Sequence, residues 1–333
     1  MKNYRTYIGI DVAKLTLDYC IVKEDPQLEQ GQILNTQKSV DKFLKTLTKT
    51  GCQMNETLFV FENTGIYSSL LALVLSENSL DYAQVPALEI KRSLGITRGK
   101  SDKVDAKEIA HYAKRNTDKI ALSTLPELSL QQLKIVFAER EKTVAAIKTF
   151  ERTKENEMFL TKEVFNSVKA INNQTVKHLK KQLVMLDEKI RTLIREDENL
   201  YGQQQLLKSI PGIGDITSVY ILMATKGFTA FTSGRKFACY SGVAPFEHSS
   251  GTSIKGKTRV SHLADKKMKT LLHMASLTAI KYDPELKDYY NRKKAEGKHT
   301  MLVLNNIKCK MVYRIFAVIQ RKSNFVNLHK FAA

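Results

Sequence analysis

No stretch of this chain approaches the ~20 consecutive apolar residues that a membrane-spanning helix requires. The opening MKNYRTYIGID meets its first acid without a long apolar core before it, so no secretory signal is expected. Cys20, Cys52, Cys239 and Cys309 stand far apart, which excludes both the paired spacing of a zinc site and a dense framework of bridges. These absences lead to the expectation of a cytoplasmic protein with reduced thiols. Acidic side chains are also scarce: 34 Asp and Glu face 53 Lys and Arg across 333 residues, a formal charge of +19.

The excess is not spread evenly. Residues 1–126 hold 17 basic and 15 acidic side chains, and residues 127–200 hold 14 and 12. Residues 201–333 hold 22 and 7, so this last segment carries most of the charge. Segregated positive charge of this size is the footprint of a face that displaces counterions from a polyanion. A surface kept basic for solubility is the competing explanation. The basic residues are not confined to one amphipathic helix, which argues against a membrane surface.

Three patterns follow one another along the chain. In the first, residues 4–11 and 15–22 are rich in Ile, Val, Leu and Tyr, and 32–36 adds a possible third strand, predicting an antiparallel meander. A helix is expected at 40–47, a strand at 58–61, a helix at 66–75 and a strand at 82–85, so the class is a mixed sheet flanked by helices. In the second, residues 129–200 contain neither Pro nor Gly, and Val176, Leu179, Leu183, Leu186, Ile190 and Leu193 step by three and four. That coiled-coil spacing predicts a long helical hairpin or arm; a plain helical bundle would show a similar seam, but a projecting pair exposes apolar surface unless a partner covers it, which favours dimerisation. In the third, Pro211-Gly212-Ile213-Gly214 separates two apolar helical stretches, a helix-hairpin-helix pattern. Its glycines allow close approach to a phosphate, with the following helix N-terminus presenting free N–H groups; a plain turn between packed helices is the alternative. Residues 242–256 read as a Gly- and Ser-rich loop, and 268–280 and 301–319 as helices. The expected domains are therefore 1–126, 127–200 and 201–333.

Four carboxylates stand in settings that suit a divalent metal. Asp11 closes the apolar run Ile8-Gly9-Ile10, and Glu62 closes Leu58-Phe59-Val60-Phe61. Asp102 and Asp105 lie three apart, on one face if a helix starts there. Hard oxygen donors of this kind suit Mg2+ or Mn2+ and, through them, phosphate oxygens. Singly, each acid has a structural use as a cap, a turn residue or a salt-bridge partner.

Taken together, the marks Gly-Ile-Asp11-Val-Ala-Lys, Glu62-Asn-Thr-Gly-Ile-Tyr67, Ser-Asp102-Lys-Val-Asp105-Ala, Ile-Pro-Gly-Ile-Gly214, Gly242-Val-Ala-Pro245 and Ser249-Ser250-Gly251 resemble the DEDD-type insertion-sequence transposases. That family is related to Piv-like DNA invertases and to bridge-RNA-guided recombinases, and the resemblance covers nearly the whole length. It implies a RuvC-like (RNase H-like) first domain with Asp11, Glu62, Asp102 and Asp105 as its metal-binding quartet. It further implies a mostly helical C-terminal transposase domain with a nucleophilic serine at the Ser-Gly pair. Ser250 is the position that matches, with Ser249 as the adjacent alternative; Ser241 precedes the Gly-Val-Ala-Pro mark. The reaction implied is cleavage and rejoining of donor and target DNA through a phosphoserine linkage, guided by a structured noncoding RNA. The protomers would form a dimer through the coiled coil and a tetramer on DNA.

Beside the serine, Lys255, Lys257, Arg259, Lys266 and Lys267 suit phosphate contacts, as do Gly212 and Gly214 in the hairpin turn. Tyr240, Phe246 and Tyr282 are available to stack on bases, with core packing as the competing use. Two rival functions remain open on sequence alone: a metal-dependent nuclease of branched DNA that uses water as nucleophile, and a nucleic-acid-binding protein without catalysis.

Overall fold

The computed structural model describes residues 2–23, 28–93, 102–244, 246–250, 254–259 and 264–327. The chain divides into two compact units, Met1–Leu125 and Pro126–Ala333.

The first unit is built on β1 (Thr6–Val12), β2 (Thr16–Lys23), β3 (Leu28–Leu34), α1 (Gln37–Lys49), β4 (Thr57–Glu62), α2 (Ser69–Glu77), β5 (Tyr82–Val85), α3 (Ala87–Ser93) and α4 (Asp102–Arg115). The sheet order is β3-β2-β1-β4-β5, antiparallel across β3-β2-β1 and parallel across β1-β4-β5. This is the mixed sheet flanked by helices that the pattern of strands and helices predicts. The third strand begins earlier than residues 32–36, because β3 is an exposed edge strand whose place is set by its pairing with β2 rather than by its own apolarity. β4 reads as a continuous apolar run because both of its faces are covered. Phe59 and Phe61 pack with Ile8, Ile10, Val12 and the buried faces of α1 and α2. Leu58 and Val60 pack on the opposite side with Ile109, Tyr112 and Ala113 of α4.

That alternation assigns the remaining strand residues to a face. Gly9 and Asp11 on β1, Glu62 on β4, and Asp18 and Cys20 on β2 all project to the α4 side.

The second unit opens with α5 (Leu128–Arg152) and α6 (Lys162–Glu196), paired as an antiparallel hairpin. Its register is fixed by Arg140 to Asp187 at 2.6 Å and Lys180 to Glu151 at 2.7 Å. Then come α7 (Glu198–Lys208), α8 (Asp215–Thr225), α9 (Gly234–Tyr240), β6 (Phe246–Ser250), β7 (Ile254–Arg259), α10 (Lys266–Tyr282), α11 (Pro284–Ala295) and α12 (Thr300–Arg321). Leu133 and Phe137 of α5 and Ile190 and Leu193 of α6 belong to the same core as Leu222, Leu272 and Ile315. The base of the arm and the helices beyond residue 200 thus share one interior.

One expectation is corrected by the second unit. Residues 242–256 are not simply a loop, because β6 and β7 form an antiparallel hairpin within them and just beyond, with Ser249 opposite Lys255 and Ser250 opposite Ile254. Its strands are too polar for hydrophobic alternation to reveal them. The short α3 and α11 also escape periodicity. α11 buries only Leu286, although Asp283 as its cap and Pro284 at its first turn are start signals that were there to be read.

Candidate active site

Asp11 and Glu62 reach the same edge of the sheet. Ile10 pairs with Phe61 in the parallel β1-β4 ladder, and one further step of that register brings Asp11 level with Glu62. Both are half-buried.

Over this face lies α4, and its direction decides the site. A Cβ on Gly9 would fall within 3.0 Å of the backbone of Ala106 and Ala110, so only glycine permits the helix to lie this close. Toward the other end, Thr117 just beyond α4 donates to the Tyr7 hydroxyl at 3.2 Å. Lys114 donates to the carbonyl of Lys23, whose strand partner is Thr6, at 2.9 Å. The helix therefore runs antiparallel to β1, and its N-terminal turn, with Asp102 and Asp105, lies toward the strand end that carries Asp11. The positive end of the helix dipole is directed to the same edge. Asp105 is half-buried; the side chain of Asp102 lies outside the described residues.

Sequence reasoning missed three residues of this site. Asp18 is directly opposite Asp11 on β2 and only 2% exposed, and Gln32 of β3 donates to its two carboxylate oxygens at 3.1 and 3.0 Å. Like charges directly opposite across strands are destabilising, and the two amide hydrogen bonds from Gln32 offset part of that cost at Asp18. Asn35 donates at 3.0 Å to the carbonyls of Ala13 and Tyr67, tying together the loops that leave β1 and β4 just after the two acids. None of the three lies in an apolar run or a spacing that would single it out.

Further along α4, burial and then the charge of Asp105 push the Glu108 carboxyl up. Burial, followed by Lys107, Arg115 and Lys114, pulls His111 down. The donors at this edge are carboxylate oxygens, which fit a hard divalent cation rather than zinc. Among the described residues no three His, Cys, Asp or Glu side chains form a ready-made cluster for a metal.

In the second unit the turn through Pro211–Gly214 joins α7 to α8, and its two glycines differ in use. Gly212 has φ +95°, and a Cβ there would collide with the Ala275 carbonyl of α10. Its need for glycine comes from packing between helices. Gly214 is exposed and open at the start of α8, where Asp215 pairs with Lys208 at 2.6 Å.

The β6–β7 hairpin carries Ser249, Ser250, Lys255, Lys257 and Arg259, whose side chains lie outside the described residues. Ser241 is wholly buried at the end of α9. Lys266 is exposed, whereas Lys267 is ion-paired with Glu141 of α5. Asp265 is a further residue that sequence reasoning did not find. It caps α10 by accepting from the Met268 N–H at 2.8 Å and accepts from the hydroxyls of Tyr220 at 2.9 Å and Tyr240 at 2.8 Å. One carboxylate thus joins α8, α9 and α10.

Acids at one edge of a mixed sheet, followed by a basic helical unit, belong to the class of DNA transposases and recombinases, and comparison with known proteins shows this. Residues 8–156 match the DEDD transposase model of IS110 type, and residues 204–291 match the model described as Transposase IS116/IS110/IS902 family. The chain is 28% identical to the pilin gene-inverting protein of Moraxella bovis, over 96% of this chain and 98% of that one. The pilin gene-inverting protein of Moraxella lacunata is 27% identical over the same shares. A 42 kDa protein of insertion element IS900 from Mycobacterium paratuberculosis is 33% identical over 39% of this chain and 33% of its own. Among solved structures, Thermus thermophilus RuvC aligns with 35% of this chain and 99% of its own at 10% identity, with a TM-score of 0.26. The chain belongs to the DEDD-type insertion-sequence transposase family.

Proposed function

We propose that the protein cuts and rejoins DNA through a covalent phosphoserine intermediate, with Asp11, Glu62, Asp102 and Asp105 holding Mg2+ or Mn2+ and Ser250 as nucleophile. The observation that carries the acid half is the antiparallel docking of α4 on β1 at Gly9, which directs Asp105 to the edge shared by Asp11 and Glu62. The serine half rests on the family motif. A bound divalent cation would supply charge neutralisation for phosphate oxygens and activation of a weak nucleophile.

In the forward step the Ser250 Oγ forms a bond to phosphorus as the bond to one deoxyribose oxygen breaks. The serine loses its proton and the departing DNA oxygen gains one, so a phosphodiester is exchanged for a phosphodiester. In the return step a hydroxyl of another strand attacks phosphorus, displaces Ser250 and restores its proton, and no ATP is consumed. Gly214 and the basic residues Lys255, Lys257, Arg259 and Lys266 hold the backbone. Lys267 acts there only when it leaves Glu141.

Donor and target DNA are the substrates, with sequence choice delegated to a structured guide RNA. No helix among the described residues is long and apolar enough to cross a membrane, which is compatible with work in the cytoplasm on chromosomal DNA. The arm joins two protomers, and pairs of dimers meet on DNA. Val176, Leu179, Leu183 and Leu186 are half-buried, and Ile190 and Leu193 are buried in the protomer's own core. Among the described residues of α6, Val164, Val168, Ile171, Val184 and Met185 are exposed, and the first three, spaced by four and three, are the stripe offered to a partner.

The test is product analysis on element-end DNA with Mg2+. The wild type is expected to leave protein covalently attached to one DNA end, Ser250→Ala to leave none, and Ser249→Ala to retain adducts. Adducts at normal yield from Ser250→Ala would reject the serine assignment, and free ends throughout would establish hydrolysis by water instead.

A further inference from the structure

A cleft of about 540 Å³ opens in the second unit between α5, α8 and the junction of α9 with α10. Its volume lies in the range of small-molecule sites. Phe137 and Met223 give it an apolar floor, and the rings of Tyr220 and Tyr240 line it. Asp265 fixes both tyrosines by accepting from their hydroxyls. Burial and then that carboxylate push both phenols well up, so the two rings are un-ionised.

Three lysines and one glutamate border the cleft. Lys267 and Glu141 neutralise each other as an ion pair. Lys134 and Lys226 have no ion-pair partner among the described residues, and they lie near enough that the charge of Lys226 adds to burial in lowering the Lys134 ammonium. Two cations that repel each other beside an aromatic and apolar floor are complementary to a flat ring that carries an anion.

We propose that this cleft seats one unpaired nucleotide of a nucleic-acid strand, with its base against Phe137, Met223 and Tyr220 and its phosphate on Lys134 and Lys226. The inference rests on the reading of the protein as one that handles nucleic acid, and adds a base-seating site that neither the acids nor the serine provide. A base reaches such a site only when it is out of the duplex stack. Tyr240 ends α9, and the serine-bearing β6 begins at Phe246, so the wall of the cleft leads directly into the hairpin. A nucleotide held here would anchor the strand that the hairpin approaches.

The test needs no cleavage and is done on the full-length protein in EDTA, so it fails or succeeds independently of the covalent mechanism. Lysine acylation read by mass spectrometry is compared with dAMP, AMP and deoxyribose 5-phosphate as protectants. Either nucleotide is expected to shield Lys134 and Lys226 but not Lys281, which does not line the cleft, and the sugar phosphate to need roughly tenfold more for the same shielding. The dAMP and AMP arms distinguish a DNA from an RNA strand. Lys134→Ala/Lys226→Ala is expected to weaken binding of a short single strand about tenfold with duplex affinity unchanged, and the double arginine variant to restore it. Absence of protection, equal protection by the sugar phosphate, or equal loss of duplex and single-strand binding would overturn the proposal.

Discussion

Gly9 and Ala110 meet backbone against backbone: a Cβ on Gly9 would lie 2.8 Å from the Ala110 Cα and closer still to its nitrogen. That contact fixes α4 on the sheet, and so fixes where the acids of its first turn stand relative to Asp11. Replacement by alanine overpacks the joint, at a cost of about 1–3 kcal/mol. Gly9→Ala is therefore expected to lower the thermal unfolding temperature and to abolish Mg2+-dependent cleavage with every carboxylate intact. Cleavage at the wild-type rate would show that helix docking does not set the acids.

The acids themselves are tested by amides of the same shape. Asp11→Asn and Glu62→Gln are each expected to reduce cleavage roughly a hundredfold or more. Salt-dependent DNA binding, measured by anisotropy, should remain, since the basic charge resides mainly beyond residue 200.

Asp18 depends on Gln32 for its hydrogen bonds at a nearly inaccessible position. Gln32→Ala strips them from a buried carboxylate and is expected to cost roughly 1–3 kcal/mol in urea unfolding of the first unit. An unchanged midpoint would mean that solvent reaches Asp18.

His111 makes stability depend on pH. Burial and its basic neighbours lower its folded-state pKa below the ordinary 6.5. The unfolded chain then takes up a proton that the folded chain resists, so its stability contribution is fully present above about pH 7 and is lost as pH falls through 6.5 and below. Thermal unfolding between pH 8 and 5 is expected to show a slope that His111→Gln reduces. An identical slope in the variant would assign the effect to other groups.

Asp283 has a side chain with 0% exposure, paired with Arg314, which also contacts Glu285 at 2.6 Å. Arg314→Leu leaves that carboxylate buried and unpaired and is expected to cost about 3–5 kcal/mol, read as a loss in the unfolding midpoint of the second unit. Arg314→Leu with Asp283→Asn should recover part of it.

The sequence by itself determined the features encoded in neighbouring residues. Apolar runs that end in Asp11 and Glu62 located two strand ends, the breaker-free stretch from 129 to 200 marked the long helices α5 and α6, and a Pro-Gly turn separated two helices. Only the tertiary structure decided which side chains meet across long separations. Gly9 is glycine because of Ala106 and Ala110, and Gly212 because of α10. Asp18 matters because antiparallel pairing sets it opposite Asp11, and Asp265 because three helices converge on it. Helical and strand periods, caps and breakers act over a few residues and can be read in order. The face on which a helix lands, its direction, and the close approach it makes are set by packing among residues a hundred positions apart, and no local pattern carries that information.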